Sequence, residues 1–120
     1  MKSCYTLANE LQLFDKTPRR FHYTPYNWLA YTNGVNHFIE ETRAQFLVEW
    51  FATFIKGFRK QHAVMPIEID VRDDETFNFK LFSEDGKQLY SRSSSFNFPA
   101  PFTYRFVCRN GVITLPQEEL

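Results

Sequence analysis

The sequence contains no long apolar run and only two cysteines among its 120 residues. No stretch is apolar over the length that a signal peptide or a membrane-spanning helix needs, so neither is predicted. Cys4 and Cys108 lie far apart and form no CxxC pair. Without a secretory signal, such cysteines are more often reduced thiols than a disulfide. We therefore expect a cytoplasmic protein whose cysteines are free.

The sequence also carries no excess of charge of either sign. Fourteen basic residues balance fourteen acidic ones, and the pI is about 6.8. Domains that bind nucleic acid usually have a basic excess, because contacts to phosphates dominate their affinity. The balance excludes a basic surface over the whole protein and leaves a local basic patch open.

Aromatic residues are abundant instead, at 18% of the chain, and 14 of them are phenylalanine. Large rings bury much apolar area per ordered residue, so a small domain can build a dense core from few side chains. A chain of this length should bury about two-thirds of its unfolded surface. We expect a single domain over residues 1–120, although composition does not separate rings of the core from rings of a binding surface.

The first half of the chain predicts helices. Ser3 is a candidate N-cap for a helix that Pro18 must end. Asn33-Gly34 predicts a turn, because both residues tolerate positive φ. The strongest helix spans Arg43 to Lys60 and is apolar over most of its circumference, which indicates a core helix. Thr42 with Gln45 three residues on resembles a capping box that starts it, and one continuous helix from Val35 to about Lys60 is the alternative.

The second half alternates with the period of a β-strand, as in Ile67, Ile69 and Val71. Turn sequences separate the strands, with Asn110-Gly111 the clearest hairpin signal. We predict an α+β fold: N-terminal helices packed on one face of a C-terminal antiparallel meander sheet of four or five strands. The solvent face of that sheet should carry Glu68, Asp70, Arg72, Asn78, Lys80, Thr103 and Arg105.

Two motifs stand out in this frame: Tyr31-Thr32-Asn33-Gly34-Val35 ahead of an aromatic-rich helix, and Asn110-Gly111-Val112-Ile113-Thr114-Leu115-Pro116 near the end. They resemble an uncharacterised family, a domain of unknown function, of small bacterial proteins that plasmids, phages and other mobile elements often carry. The resemblance covers the chain from about Leu11 onwards. It implies a small accessory protein inside a bacterial cell and brings no catalytic residues with it.

The densest aromatic segment runs from Phe21 to Tyr31, and Arg19, Arg20 and His22 accompany it. Tyrosine, tryptophan and arginine often anchor interfaces, and rings beside arginines also suit stacking on single-stranded bases. In the alternative interpretation, the rings fold back over the core. If the segment binds a partner, Tyr26 and Trp28 should stay at least partly exposed. The candidate partner-binding residues are Arg19, Arg20, Phe21, Tyr23, Tyr26 and Trp28.

Signatures of catalysis and metal binding are missing. His37 with Glu40 or Glu41 supplies too few ligands for a metal and is better interpreted as a surface ion pair. The acidic run Asp73-Asp74-Glu75 lacks the glycine and the alternation of a calcium loop, and Ser93-Ser94-Ser95 lacks a nucleophile elbow. We therefore predict no catalytic, metal or cofactor site.

The leading hypothesis is a non-enzymatic protein that binds another protein, for example as an inhibitor of a host defence system. The alternative is a nucleic-acid-associated protein that uses the basic and aromatic segment up to Trp28. A small enzyme with unrecognised chemistry is a third hypothesis, and a deep pocket with convergent titratable groups would favour it. The sequence leaves the partner and the oligomeric state open.

Overall fold

The computed structural model describes residues 3–14 and 20–118, which form helices and one mixed sheet. The helices are α1 (Cys4–Gln12), α2 (Asn33–Thr42) and α3 (Phe46–Lys56). The strands are β1 (Phe21–Tyr23), β2 (Ala30–Thr32), β3 (Val64–Val71), β4 (Thr76–Phe82), β5 (Gln88–Ser95), β6 (Phe102–Arg109) and β7 (Val112–Thr114).

The α+β class is confirmed, but the predicted meander of four or five antiparallel strands is wrong in detail. The sheet has seven strands in the order β1-β2-β7-β6-β3-β4-β5, and β2 runs parallel to β7. Strands β3, β4 and β5 do form a meander. The chain then crosses back, so β6 pairs with β3 and not with β5. β1 and β2 were not predicted as strands, because three residues each are too few to show alternation.

The alternation of the central strands is confirmed. The inward row is buried and comprises Ile67, Ile69, Val71, Phe77, Phe79, Leu81, Tyr104, Phe106 and Cys108. None of the seven polar residues predicted on the other face is buried. Two cross-strand contacts order that face: the Arg105 guanidinium lies 3.7 Å from the Glu68 carboxylate, and the Thr103 hydroxyl donates to Asp70 at 3.0 Å.

Helices α2 and α3 pack their rings against the inward row. Phe38 of α2 lies 4.9 Å from Tyr104 and 5.0 Å from Phe106 between ring centroids. Phe51 of α3 lies 5.9 Å from Phe79. Tilted and edge-on ring pairs at such distances are favourable beyond the area they bury. The Phe-rich helix therefore meets a Phe-rich sheet face, as the pattern predicts.

The helix boundaries differ from the predicted ones. Asn33-Gly34 is not a turn but the first two residues of α2, whose N-cap is Thr32. Thr42 does not cap α3; its buried hydroxyl donates to the Phe38 carbonyl at 2.7 Å inside α2. Arg43 then ends α2 in the left-handed conformation with φ 58°. That break also excludes one continuous helix, since a left-handed residue cannot lie inside a right-handed one.

Several local predictions are confirmed. Ser3 caps α1 by accepting a hydrogen bond from the Thr6 amide at 3.1 Å. Asn110 and Gly111 both have positive φ and connect β6 to β7 as a two-residue hairpin. Gly86 has φ 92° in the turn between β4 and β5. Each of these positions carries a residue type that its local backbone conformation favours.

Truncating Phe51 to Ala should lower the free energy of unfolding by about 3–5 kcal/mol, because the ring is only 1% exposed and leaves a cavity under the sheet. The sequence predicts the same loss at Phe54, but Phe54 is half-buried, so we expect a smaller effect there. Chemical denaturation measures both, with the exposed Thr53→Ala on the same helix as the control. A loss below about 1 kcal/mol at Phe51 would place the core elsewhere.

Candidate recognition surface

The candidate residues lie at one end of the sheet, on edge strand β1 and the loop that follows it. We call Arg20, Phe21, Tyr23 and Tyr26 the edge surface. Arg20 is exposed, and the three rings are 37%, 84% and 38% exposed. Arg19, also predicted to belong here, lies outside the described residues. Exposed rings that occur together mark a binding surface more often than single exposed rings do, which makes the edge surface the candidate site.

Strand β1 turns its rings outward because of what lies on its other face. His22 stacks on Tyr31 of β2 with ring centroids 5.4 Å apart and planes 9° from parallel. The His22 Nε2 atom also lies 3.1 Å from the Asn33 Oδ1 atom, within hydrogen-bond distance. Side chains alternate along a strand, so fixing His22 on one face directs Phe21 and Tyr23 to the opposite face.

Thr24 orders the loop between β1 and β2. Its hydroxyl lies within donating distance of two carbonyls, 2.9 Å from that of Leu29 and 3.0 Å from that of Tyr26. The same oxygen accepts from the Tyr26 amide at 3.1 Å. A threonine that bonds to the backbone of its own loop replaces the missing secondary structure there. Tyr26 is therefore exposed on an ordered loop.

Trp28 fits the alternative interpretation better than the other rings do. It is half-buried and packs against the core. The Arg59 guanidinium lies 4.5 Å from the centre of its ring, a cation–π contact between α3's C-terminal side and this loop. The expectation that Tyr26 and Trp28 stay at least partly exposed is confirmed, although Trp28, the less exposed of the two, also packs against the core. Nothing near Trp28 in the sequence indicates Arg59, which is 31 positions away in the numbering.

The β1–β2 hairpin is attached to the far end of the chain. The Ala30 amide donates to the Gly111 carbonyl at 2.9 Å. A Cβ atom on Gly111 would collide with the Trp28 carbonyl oxygen, so only glycine allows this approach. Glu118 is 2% exposed and accepts hydrogen bonds from the Thr32 hydroxyl at 2.6 Å and the Leu115 amide at 2.7 Å. Sequence reasoning missed Glu118, because an acidic residue in a polar tail looks solvated.

The other candidate groups from the sequence are His37 with its acidic neighbours and the two cysteines. His37 pairs with Glu10 of α1 at 2.9 Å, and not with its own helix. In residues 3–14 and 20–118, no group of three His, Cys, Asp or Glu side chains could hold a metal ion. Both cysteines are free and buried, and burial raises the pKa of the Cys108 thiol to about 11. Such a thiol is a poor nucleophile at neutral pH.

No helix in the same ranges is long and apolar enough to cross a membrane.

Comparison with known proteins places the chain in a family. Residues 5–119 match a family of unknown function, DUF6876. Because the match spans nearly the whole chain, the protein belongs to that family. No curated protein and no solved structure matches the chain.

Replacing Thr24 by Val should loosen the loop, because the variant loses the hydroxyl that bonds Tyr26 and Leu29. We expect faster hydrogen exchange at the Tyr26 and Leu29 amides and a stability loss of about 1–3 kcal/mol. Thr24→Ser keeps the hydroxyl and is the matched control. An unchanged exchange rate at the Tyr26 amide in Thr24→Val would show that the hydroxyl does not order the loop. Exchange at the Ile69 amide in the core should speed up by no more than the measured loss of global stability accounts for.

Proposed function

We propose that this protein is a non-enzymatic binding protein that recognises another protein through the edge surface. The observation that carries the proposal is the 84% exposure of Tyr23 on an edge strand, beside the partly exposed Phe21 and Tyr26. Rigid rings lose little conformational entropy on binding and bury a large area, so they dominate many interfaces. Tyr23 is left almost fully in water by the described part of the chain, and Phe21 and Tyr26 are covered only in part.

The backbone of β1 adds a second element of recognition. β1 is the last strand on its side of the sheet, so its outer N–H and C=O groups have no partner strand among the described residues. An extended segment of a partner can pair with such an edge while its side chains meet the rings. Arg20, directly before the strand, adds a donor for a carboxylate of the partner. The partner chemistry we propose is therefore an extended segment with apolar and acidic side chains.

The setting we propose is the cytoplasm of a bacterium, with the chain as an accessory protein of a mobile element. Its support is the resemblance of the Asn110–Pro116 and Tyr31–Val35 motifs to such proteins, together with the two free cysteines, which fit a reducing compartment. Inhibition of a host defence system is the concrete form that such binding would take.

Nucleic-acid binding is the second candidate. Arg20 beside Phe21 and Tyr23 favours it, since rings flanked by arginines can stack on single-stranded bases. The neutral net charge of the chain disfavours it. Titration of labelled single-stranded and duplex oligonucleotides at two salt concentrations separates the candidates, because binding to phosphates weakens steeply as salt is added.

The matched test of the protein-binding proposal compares Tyr23→Ala with Tyr5→Ala. Tyr5 is also strongly exposed, at 68%, but it lies on α1 and not on the edge surface. Its neighbour Cys4 lines a cavity together with Asp73 and Asn97, close to the turn between β3 and β4. We expect both variants to keep their stability within about 0.5 kcal/mol, as surface substitutions usually do. Only Tyr23→Ala should lose about 2 kcal/mol or more of partner binding.

The measurement pairs thermal melts with quantitative capture of partners from bacterial lysate, using the tagged chain and each variant. Tyr26→Ala should behave like Tyr23→Ala. Trp28→Ala should instead lower the melting temperature, because its ring packs against the core and Arg59. Equal capture by wild type, Tyr23→Ala and Tyr26→Ala would contradict the proposal.

A further inference from the structure

The opposite end of the sheet has a different edge. β5 spans eight residues, and no described strand pairs with its outer side. A long open edge is usually protected by proline, lysine or a bulge. β5 has a bulge only at its beginning, where the register shifts between Leu81 and Phe82 of β4. From Tyr90 to Ser95 it runs in unbroken register, so a regular edge is left for another strand.

The hydrogen-bond pattern fixes which groups of β5 face outward. The Phe96 amide donates to the Glu75 carbonyl at 2.9 Å, on the β4 side. Backbone groups alternate in direction along an antiparallel strand. The backbone N–H and C=O groups of Arg92 and Ser94 therefore face β4, as those of Phe96 do. The backbone groups of Ser91, Ser93 and Ser95 face the open side of the sheet.

The sequence of this edge is nearly symmetric about Ser93. It reads Tyr90-Ser91-Arg92-Ser93-Ser94-Ser95-Phe96. If two such strands pair antiparallel with Ser93 on a two-fold axis, Tyr90 lies opposite the second copy's Phe96. Ser91 lies opposite Ser95, and Ser93 lies opposite its own copy. Arg92, the one charged residue of the segment, then lies opposite Ser94 and not opposite its own copy. Like charges directly opposite each other would destabilise the pair, and this register places none opposite each other.

We propose that the protein forms a two-fold symmetric dimer by antiparallel pairing of β5 with β5 across Ser93. The outward N–H and C=O groups of Ser93 bond to those of the partner's Ser93, and those of Ser91 bond to the partner's Ser95. Every outward backbone group of this stretch is then satisfied. A closed two-fold interface of this kind uses the same surface on both copies.

Side chains on the inner face support the same register. Phe96 lies 4.9 Å from Phe46, and Tyr90 lies 4.7 Å from Phe54, so both ends of β5 continue the rings of α3. All four rings are half-buried. In the dimer Tyr90 meets the partner's Phe96, so apolar area that one copy leaves in water is removed from it. β1 lies at the opposite edge of the sheet from β5, so it stays accessible in both copies of the dimer. The dimer therefore does not depend on the proposed function.

The first test is the mass in solution, measured by sedimentation equilibrium from micromolar to millimolar concentration. Wild type should approach twice 14.4 kDa as concentration rises. Ser93→Pro should stay at 14.4 kDa with its melting temperature little changed, because it removes a donor that faces outward and not one bonded to β4. Ser93→Ala loses the same hydroxyl but keeps the donor, so it should dimerise like wild type.

The second test reads the register directly by oxidation of single-cysteine replacements. Hydrogen-bonded residues of an antiparallel pair lie about 5.5 Å apart between Cα atoms, within the range of a disulfide. Ser93→Cys should therefore form an interchain disulfide readily. Ser91→Cys should not, since it faces the partner's Ser95. Cys4 and Cys108 are buried and do not compete.

The proposal is overturned if wild type stays at 14.4 kDa throughout, if Ser93→Pro dimerises like wild type, or if Ser91→Cys cross-links as fast as Ser93→Cys. Should Ser93→Pro fail to fold, the two cysteine variants decide by themselves.

Discussion

The parallel pairing of β2 with β7 is the contact on which the position of the edge surface depends. Ala30 lies opposite Val112, and Tyr31 lies opposite Ile113. This pairing joins the first third of the chain to its last strand and extends the sheet by the β1–β2 hairpin. Two side contacts hold the same junction: Gly111 admits the Trp28 carbonyl, and buried Glu118 accepts from Thr32. These contacts fix the position of the β1–β2 hairpin on the sheet, and with it the position of the rings of β1.

Aromatic residues occupy two kinds of environment in this protein, and the sheet separates them. Rings such as Phe38, Phe51 and Phe79 are buried between α2, α3 and the inner face. Tyr23 and Tyr26 instead lie at the edge, where the chain itself covers them only in part. The hydrophobic effect explains the first group, because burial removes apolar area from water. The second group gains that stabilisation only if another molecule covers it.

Much of the fold could be predicted from local pattern, and the rest depends on contacts between distant residues. Alternation in β3 and β4 was predictable because these strands are long and have one buried face. The Asn110-Gly111 hairpin was predictable because few residues adopt its conformation. The short strands β1 and β2 carry no such signal. Thr42 with Gln45 fits the capping-box pattern, but Thr42 is buried and bonds back to Phe38. A pattern of two residues does not contain that information.

The candidate site was predictable as a segment but not residue by residue. A run of tyrosine, tryptophan and arginine identified the stretch from Arg19 to Trp28. Which rings are exposed depends on residues far along the chain, since Arg59 and Gly111 contact Trp28. Exposure of Tyr23 in turn follows from the stacking of His22 on Tyr31.

Site-specific photo-crosslinking tests the central claim most directly, because it captures a partner whose identity is still open. A photoreactive phenylalanine replaces Tyr23 in one variant and Arg105, exposed on the open face of the sheet, in another. Irradiation of cells that produce each variant should join position 23 to one defined protein and position 105 to none. Equal adducts from both positions, no adduct from position 23, or an adduct with nucleic acid alone would contradict the claim that the edge surface recognises a protein.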